Sequence, residues 1–231
     1  PLDSLKSFSE LLYILMMGTG VGYSVERQFV NNLPPVAALT GEPPIFYQIP
    51  DSTPGWMAAL YDGLTHFFKG QRVEYDYSLI RPAGDKLKTK GGRASGPDPL
   101  RHLLEFAQKT VLNAAGRSLT SVECNDIACM IGEIVMAGGV RRAALISFSD
   151  PDDTLMRDAK KFPRCALCGS RSQSHLEHHL MKEHQISVGS YLGIYPGAEL
   201  GFREHRYMAN NSAFWGEKPS RDLFGSEWTA L

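Results

Sequence analysis

Residues 119–153 read LTSVECNDIACMIGEIVMAGGVRRAALISFSDPDD. The stretch 121–136 reads as a helix, which Gly138 and Gly139 bring to an end. The run RRAALISFS, 141–149, then reads as a buried strand, because its apolar, β-branched and aromatic residues suit a pleated surface. Asp150-Pro151-Asp152-Asp153 opens another helix over about 152–161, since acids suit the positive end of a helix and proline its first turn. Helix, strand and helix in such quick succession point to an α/β fold.

The same alternation extends in both directions. Residues 5–17 place apolar side chains at helical spacing, with Ser4 as a cap. Residues 18–25, GTGVGYSV, are Gly-rich and then strand-like. Residues 31–55 hold six of the fourteen prolines and read as an extended surface excursion. A second helix is predicted over 56–69, and a strand over 73–80, VEYDYSLI. Asp98 followed by Pro99 starts a helix that runs to about Ala115, with Gly116 ending it. RYMANNSAFW, 206–215, reads as a further strand. No internal repeat is visible. The glycines of GTGVG do not make a dinucleotide cradle. Such a loop follows a strand and opens a helix, whereas here the order is helix, glycines, strand.

The bulk properties narrow the class. The chain has 231 residues, 43% hydrophobic and 21% charged, with a formal net charge of −1. That is the composition of a folded domain, and nothing global announces a nucleic-acid or membrane partner. No apolar run is long enough to span a bilayer, so no membrane association is expected. The N-terminal PLDSLKSFSELL has no basic n-region of a signal peptide. Four cysteines fit a reducing cytoplasm better than a disulfide scaffold. A start at Pro1 rather than Met reads as a piece of something longer.

One short stretch carries metal chemistry. Residues 164–185, RCALCGSRSQSHLEHHLMKEHQ, give Cys165-x2-Cys168-x10-His179-x4-His184. Two thiolates on a knuckle and two imidazoles on a helix make a closed tetrahedral site for structural Zn2+. His175 and His178 compete with His179 for the third position. His179 is preferred because Leu176 and Leu180 then share an apolar side. The competing reading is two free thiols beside a His-rich surface helix. DNA binding is a separate matter, since the helix carries Glu177 and Glu183 as well as Lys182. The form CxxCG…LxxHLxxxHxIS…Y…YPGA resembles the single finger of MucR/Ros-like regulators and of some phage homing endonucleases. It rests on Cys165, Cys168, Gly169, Leu176, His179, Leu180, His184, Ile186, Ser187, Tyr191 and Tyr195-Pro196-Gly197-Ala198.

A second stretch suits anions. Between Arg81 and Arg93 lie Lys86, Lys88 and Lys90 against the single acid Asp85, and Gly84, Gly91, Gly92 and Gly96 let backbone amides approach a polyphosphate. The alternative is a solvated surface loop. Arg141 and Arg142, after Gly138 and Gly139, suit phosphates or a structural ion pair equally well.

Four longer blocks resemble one enzyme family. MMGTGVGYSVERQFV, YSLIRPAGDKLKTKGGRASGPDPL, residues 119–153 and YMANNSAFW are similar, in order, to adenosylcobalamin-dependent (class II) ribonucleotide reductases of the monomeric ribonucleoside-triphosphate type. The resemblance implies a partial α/β barrel of reductase type, with a small inserted zinc-finger module. The expected divisions are 1–163 and 202–231 for the barrel and 164–201 for the finger. It implies adenosylcobalamin, a thioredoxin-type reductant, a ribonucleoside triphosphate substrate and an effector deoxynucleotide. It places Arg81, Lys88, Gly91, Gly92, Ala94, Ser95, Gly96, Gly139, Arg141 and Arg142 near substrate or effector. The family's radical cysteine, on a finger loop, has no counterpart here. Cys124 and Cys129, five apart on one helix, read as packing residues, too poorly oriented for a disulfide. No residue is therefore assigned a catalytic role. The expectation is a reductase part, inactive alone, that needs a second polypeptide carrying the finger loop. The other expectation is a finger that binds DNA or a partner, carried on a catalytically silent fragment.

Overall fold

The computed structural model describes residues 1–86, 92–136, 144–160, 165–170, 176–196, 198 and 204–213. Helix α1 (Leu5–Met16) leads through a turn into strand β1 (Gly20–Ser24), and the short helix α2 (Arg27–Val30) follows. Strand β2 (Ile45–Gln48), helix α3 (Thr53–Phe68), strand β3 (Val73–Asp76) and helix α4 (Asp98–Leu112) come next. Helix α5 (Ser121–Met136), strand β4 (Ala144–Ser149) and helix α6 (Thr154–Asp158) complete the first 160 residues.

Strands β1 and β4 pair in parallel, and β4 pairs in parallel with β5 (Ala209–Ala213), giving the order β1-β4-β5. A separate parallel pair joins β2 to β3. Helix α5 packs on one face of the three-stranded sheet and against α1 and α4. It buries Cys124, Ile127, Ala128, Cys129, Ile131, Ile134 and Val135. Among the described residues the other face is open. Ile146 and Phe148 on β4 are 41% and 39% exposed, and Gly20, Gly22 and Asn210 are exposed beside them. Parallel sheets are normally covered on both faces. The run 144–149, read from the sequence as part of a buried strand, is buried on one side among the described residues.

Several boundaries move for local reasons. The predicted strand 73–80 stops at Asp76, because its carboxylate accepts from Ser78 N and Ser78 Oγ at 2.8 and 3.0 Å and turns the chain. Asp98 is not the cap of α4. Pro97 holds that position, and Asp98 accepts from Arg101 Nη1 at 2.9 Å on its own first turn. The helix ends at Leu112, and the turn beyond it is tied to the rest of the chain by Gly116 N donating to Val36 O at 2.9 Å. The Pro-rich stretch 31–55 lies against the protein, with Leu33, Val36 and Ile49 buried in the main core.

The chain leaves this body after α6. Helix α7 (Leu176–His179), a π-helical turn (Leu180–His184) and helix α8 (Val188–Ile194) follow. Cys165, Leu176, Leu180 and Tyr191 make a second, small core there, with Ile186, Leu192, Tyr195 and Ala198 packed against it. A 3-10 turn (Glu204–Met208) brings the chain back to β5.

Candidate functional site

The four residues of the Cys-x2-Cys…His-x4-His pattern converge. Their ligand atoms all lie within 4.8 Å of one another. Cys165 Sγ is 3.4 Å from His184 Nε2, and Cys168 Sγ is 3.3 Å from His179 Nε2. The S···N separations of 3.3 and 3.4 Å match the edge of a tetrahedron with metal–sulfur bonds of about 2.3 Å and metal–nitrogen bonds of about 2.0 Å. Two soft thiolates and two imidazoles are the donor set of structural zinc.

Local folding explains how these side chains meet. The knuckle is closed by Gly169 N donating to Cys165 O at 2.7 Å and by Cys165 N donating to Ser170 O at 2.9 Å. Cys165 is buried beside Tyr191, whose hydroxyl accepts from Ala166 N at 2.9 Å. Cys168 is exposed. Its thiol is drawn down to about 6, chiefly by the Ser170 hydroxyl and backbone and then by the histidines. The histidines are five residues apart. On an α-helix that spacing would set them about 140° apart. The π-helical turn over Leu180–His184 widens the coil and brings the two rings to 5.0 Å, centre to centre. Gln185, in the left-handed region at φ 51, stops the helix there. The sequence pattern named His179 and His184 but not the π turn that reconciles their spacing. His178 is exposed, and His175 lies outside the described residues.

The basic loop forms a hairpin stem. Gly84 N donates to Ala94 O at 2.9 Å, Ala94 N donates to Asp85 O at 2.7 Å, and Lys86 faces Arg93 in an antiparallel bridge. Arg93 Nη1 donates to Gly84 O at 2.8 Å. Gly96 is fixed at φ +75, and a Cβ there would sit 3.0 Å from Ala83 N. Ser95 is half-buried, and Gly92 lies on the exposed returning arm. Arg81 has a partner of its own, donating from Nε to Asp51 Oδ2 at 2.7 Å. Lys88, Gly91, Gly139, Arg141 and Arg142, named from the sequence as anion contacts, lie outside the described residues.

Two buried polar clusters escaped the sequence reading. Asp126 on α5 accepts two hydrogen bonds from the Arg206 guanidinium, from Nε at 2.6 Å and from Nη2 at 2.8 Å, and His205 Nε2 lies 3.4 Å from it. Burial would raise the Asp126 carboxyl, but the hydrogen bonds and charge of Arg206, with His205 close by, outweigh it and hold the group below the ordinary carboxylate value. On the same helix, Asn125 Oδ1 accepts from Tyr23 Oη at 2.8 Å, and Cys129 Sγ lies 3.7 Å from that hydroxyl. Burial pushes the Cys129 thiol up to about 11. Such partners are non-local, 80 and 102 residues away in sequence, and no spacing rule reaches them.

With this geometry in hand, relatives can be compared. Residues 28–111 match the family described as "B12-dependent ribonucleotide reductase, insertion domain". That span contains β2, α3, β3 and nearly all of α4. The chain is 34% identical over 161 residues to the adenosylcobalamin-dependent ribonucleoside-triphosphate reductase of Euglena gracilis, covering 69% of this chain. It is 30% identical over 234 residues to the enzyme of the same name from Lactobacillus leichmannii, covering 86% of this chain. It spans only 22% and 30% of those two relatives. A crystal structure of a B12-dependent class II ribonucleotide reductase superposes with a TM-score of 0.61 over 89% of this chain and 28% of the other, at 24% identity, a likeness of fold. In sequence over most of its length, and in fold, this chain is similar to adenosylcobalamin-dependent class II ribonucleotide reductases, and residues 28–111 match their insertion-domain family.

Proposed function

We propose that residues 1–231 form part of a ribonucleoside-triphosphate reductase that makes deoxyribonucleotides by thiyl-radical chemistry with a thioredoxin-type reductant. The observation that carries this reading is 30% identity to a named reductase across 86% of the chain. The open face of the β1-β4-β5 sheet supports a second requirement. A further segment, carrying the radical cysteine, covers that face and completes the site. On this reading the basic hairpin, with Arg81, Lys88, Gly91, Gly92, Ala94, Ser95 and Gly96, and the turn with Gly139, Arg141 and Arg142, meet substrate or effector phosphates. Adenosylcobalamin is implied by the family and would supply the radical. Among the described residues, the open face sets Ile146 and Phe148 beside the short polar side chains of Asn210 and Ser212, which by themselves do not make a site for a corrin and its amides.

The test is turnover. The purified chain, given a ribonucleoside triphosphate, adenosylcobalamin and a dithiol, should yield no deoxynucleotide. Co-expression with a reductase segment bearing the finger-loop cysteine should restore it. Turnover by the chain alone would overturn the partial-site reading.

The Cys2His2 tetrad favours a second role for residues 164–201, as a zinc finger that holds structural Zn2+ and contacts DNA or a partner. Its charges weigh against DNA, because Arg164, Arg171 and Lys182 are balanced by Glu177, Glu183 and Glu199. A salt-dependent DNA shift lost in Cys168→Ser would establish that role, and no shift at low salt would remove it.

A further inference from the structure

We infer that the excursion between α6 and β5 is a separately folding module, folded by its metal and insulated from the reductase part by a closed stem. The inference rests on the zinc reading of the tetrad.

Three observations carry it. The first is size. Among the described residues of the excursion, Cys165, Leu176, Leu180 and Tyr191 form its buried centre, and none of them belongs to the main core. So few apolar side chains do not offset the ordering of some forty residues, and chains of that length usually need a metal or disulfides.

The second is the π turn. Such turns are rare and persist where something else holds them. This one places His179 and His184 where an intact α-helix would not, and a metal bound to both supplies the missing reason. Without metal the knuckle and the helix have little to join them. Metal-binding free energy is then folding free energy for the module.

The third is the stem. Arg206, where the chain returns, donates from Nη1 to the carbonyl of Ala159, where it leaves, at 2.8 Å. The same guanidinium is clamped on Asp126 of α5. Lys160 Nζ donates to the carbonyl of Ala209, the first residue of β5. The ends of the excursion are thus joined to each other and to the main body by groups outside the metal site. The β4–β5 pairing does not pass through the zinc. Loss of metal should unfold the module and stop at the stem.

Hydrogen exchange on the full chain, read by mass spectrometry with zinc content measured in parallel, tests this. The expected result is one bound zinc. Chelation then speeds exchange of amides in 176–196 on the order of 100-fold, while those of α5 and β4 change less than about twofold. Replacement of residues 161–203 by a short Gly-Ser linker should leave the main thermal transition within about 2 °C. Bound zinc whose removal also loosens α5 and β4 would overturn the insulation. Bound zinc whose removal leaves 176–196 protected would overturn metal-driven folding. A chain that binds no zinc would instead overturn the zinc reading beneath both.

Discussion

Arg206 and Asp126 meet inside the protein as a two-pronged ion pair, with side chains only 4% and 5% exposed. Buried pairs of this kind contribute little net stability over an apolar replacement, yet removing one partner leaves the other charge uncompensated. Arg206→Met should therefore cost about 3–5 kcal/mol, read as a lower urea midpoint at unchanged slope. The double variant Asp126→Asn with Arg206→Met should recover a large part of the loss. A single-variant cost below about 1 kcal/mol would show that the pair does not hold the returning chain.

The same carboxylate predicts an acid limb. Asp126 is held below its ordinary value in the folded state. A depressed carboxyl contributes stability that is complete above the unfolded value of about 3.9 and is lost as pH falls through the folded value. Glu123, held low against its own burial by Arg117 and Thr120, acts in the same sense. Melting temperature should be flat from neutral pH down to about 5 and then fall. In Asp126→Asn the fall should be shallower. An unchanged acid limb in that variant would assign it elsewhere.

What the sequence made legible follows from the range of each interaction. The helix 121–136 and the metal pattern depend on neighbours within a few turns, and the folded chain has both where the pattern placed them. The strand ending at Asp76 and the side chain of Asp98 turned on local hydrogen bonds, to Ser78 and to Arg101, whose choice of partner a propensity does not decide. Asp126, Asn125 and Tyr23 looked like helix and strand residues of ordinary kind, because their partners come from distant elements. The π turn was hidden for another reason: the spacing of the histidines is compatible with zinc, but an α-helix is not compatible with the spacing.

Where helix α3 passes β3, the Tyr75 hydroxyl occupies the space that a Cβ at position 63 would take. A Cβ on Gly63 would lie 2.0 Å from Tyr75 Oη and 3.2 Å from Phe67. Gly63→Ala should gain up to about 1 kcal/mol in helix propensity but lose about 1–3 kcal/mol to overpacking, for a net loss in chemical denaturation. Adding Tyr75→Phe removes the nearest atom. The double variant should be more stable than Gly63→Ala alone. If it is not, the clash is with Phe67.

Thiol reactivity should sort the four cysteines. Cys124 and Cys129 are fully buried, and burial raises both thiols, Cys129 to about 11, so almost no thiolate exists at pH 8. Zinc, once bound, would mask Cys165 and Cys168. Ellman's reagent should find no fast-reacting thiol in the zinc-loaded chain, two after chelation and four in denaturant. Within the chelated pair, exposed Cys168 should react first. A fast-reacting thiol that survives Cys165→Ser with Cys168→Ser would mean that α5 opens readily.

The adjacent histidines His178 and His179 give the sharpest test of the metal centre. Only His179 reaches the tetrad, its Nε2 lying 3.3 Å from Cys168 Sγ, while His178 faces solvent. His179→Ala should lower zinc affinity by about 100-fold or more, since a closed four-ligand site loses a quarter of its donors. His178→Ala should leave affinity within a factor of about two, as expected of a surface side chain without a metal contact. Cobalt substitution gives a second reading, because a tetrahedral Cys2His2 site has strong visible bands that depend on ligand number. Those bands should persist in His178→Ala and weaken or shift in His179→Ala. The reverse pattern would mean that the helix turns by one residue to present His178, and the π turn would then have no reason to form.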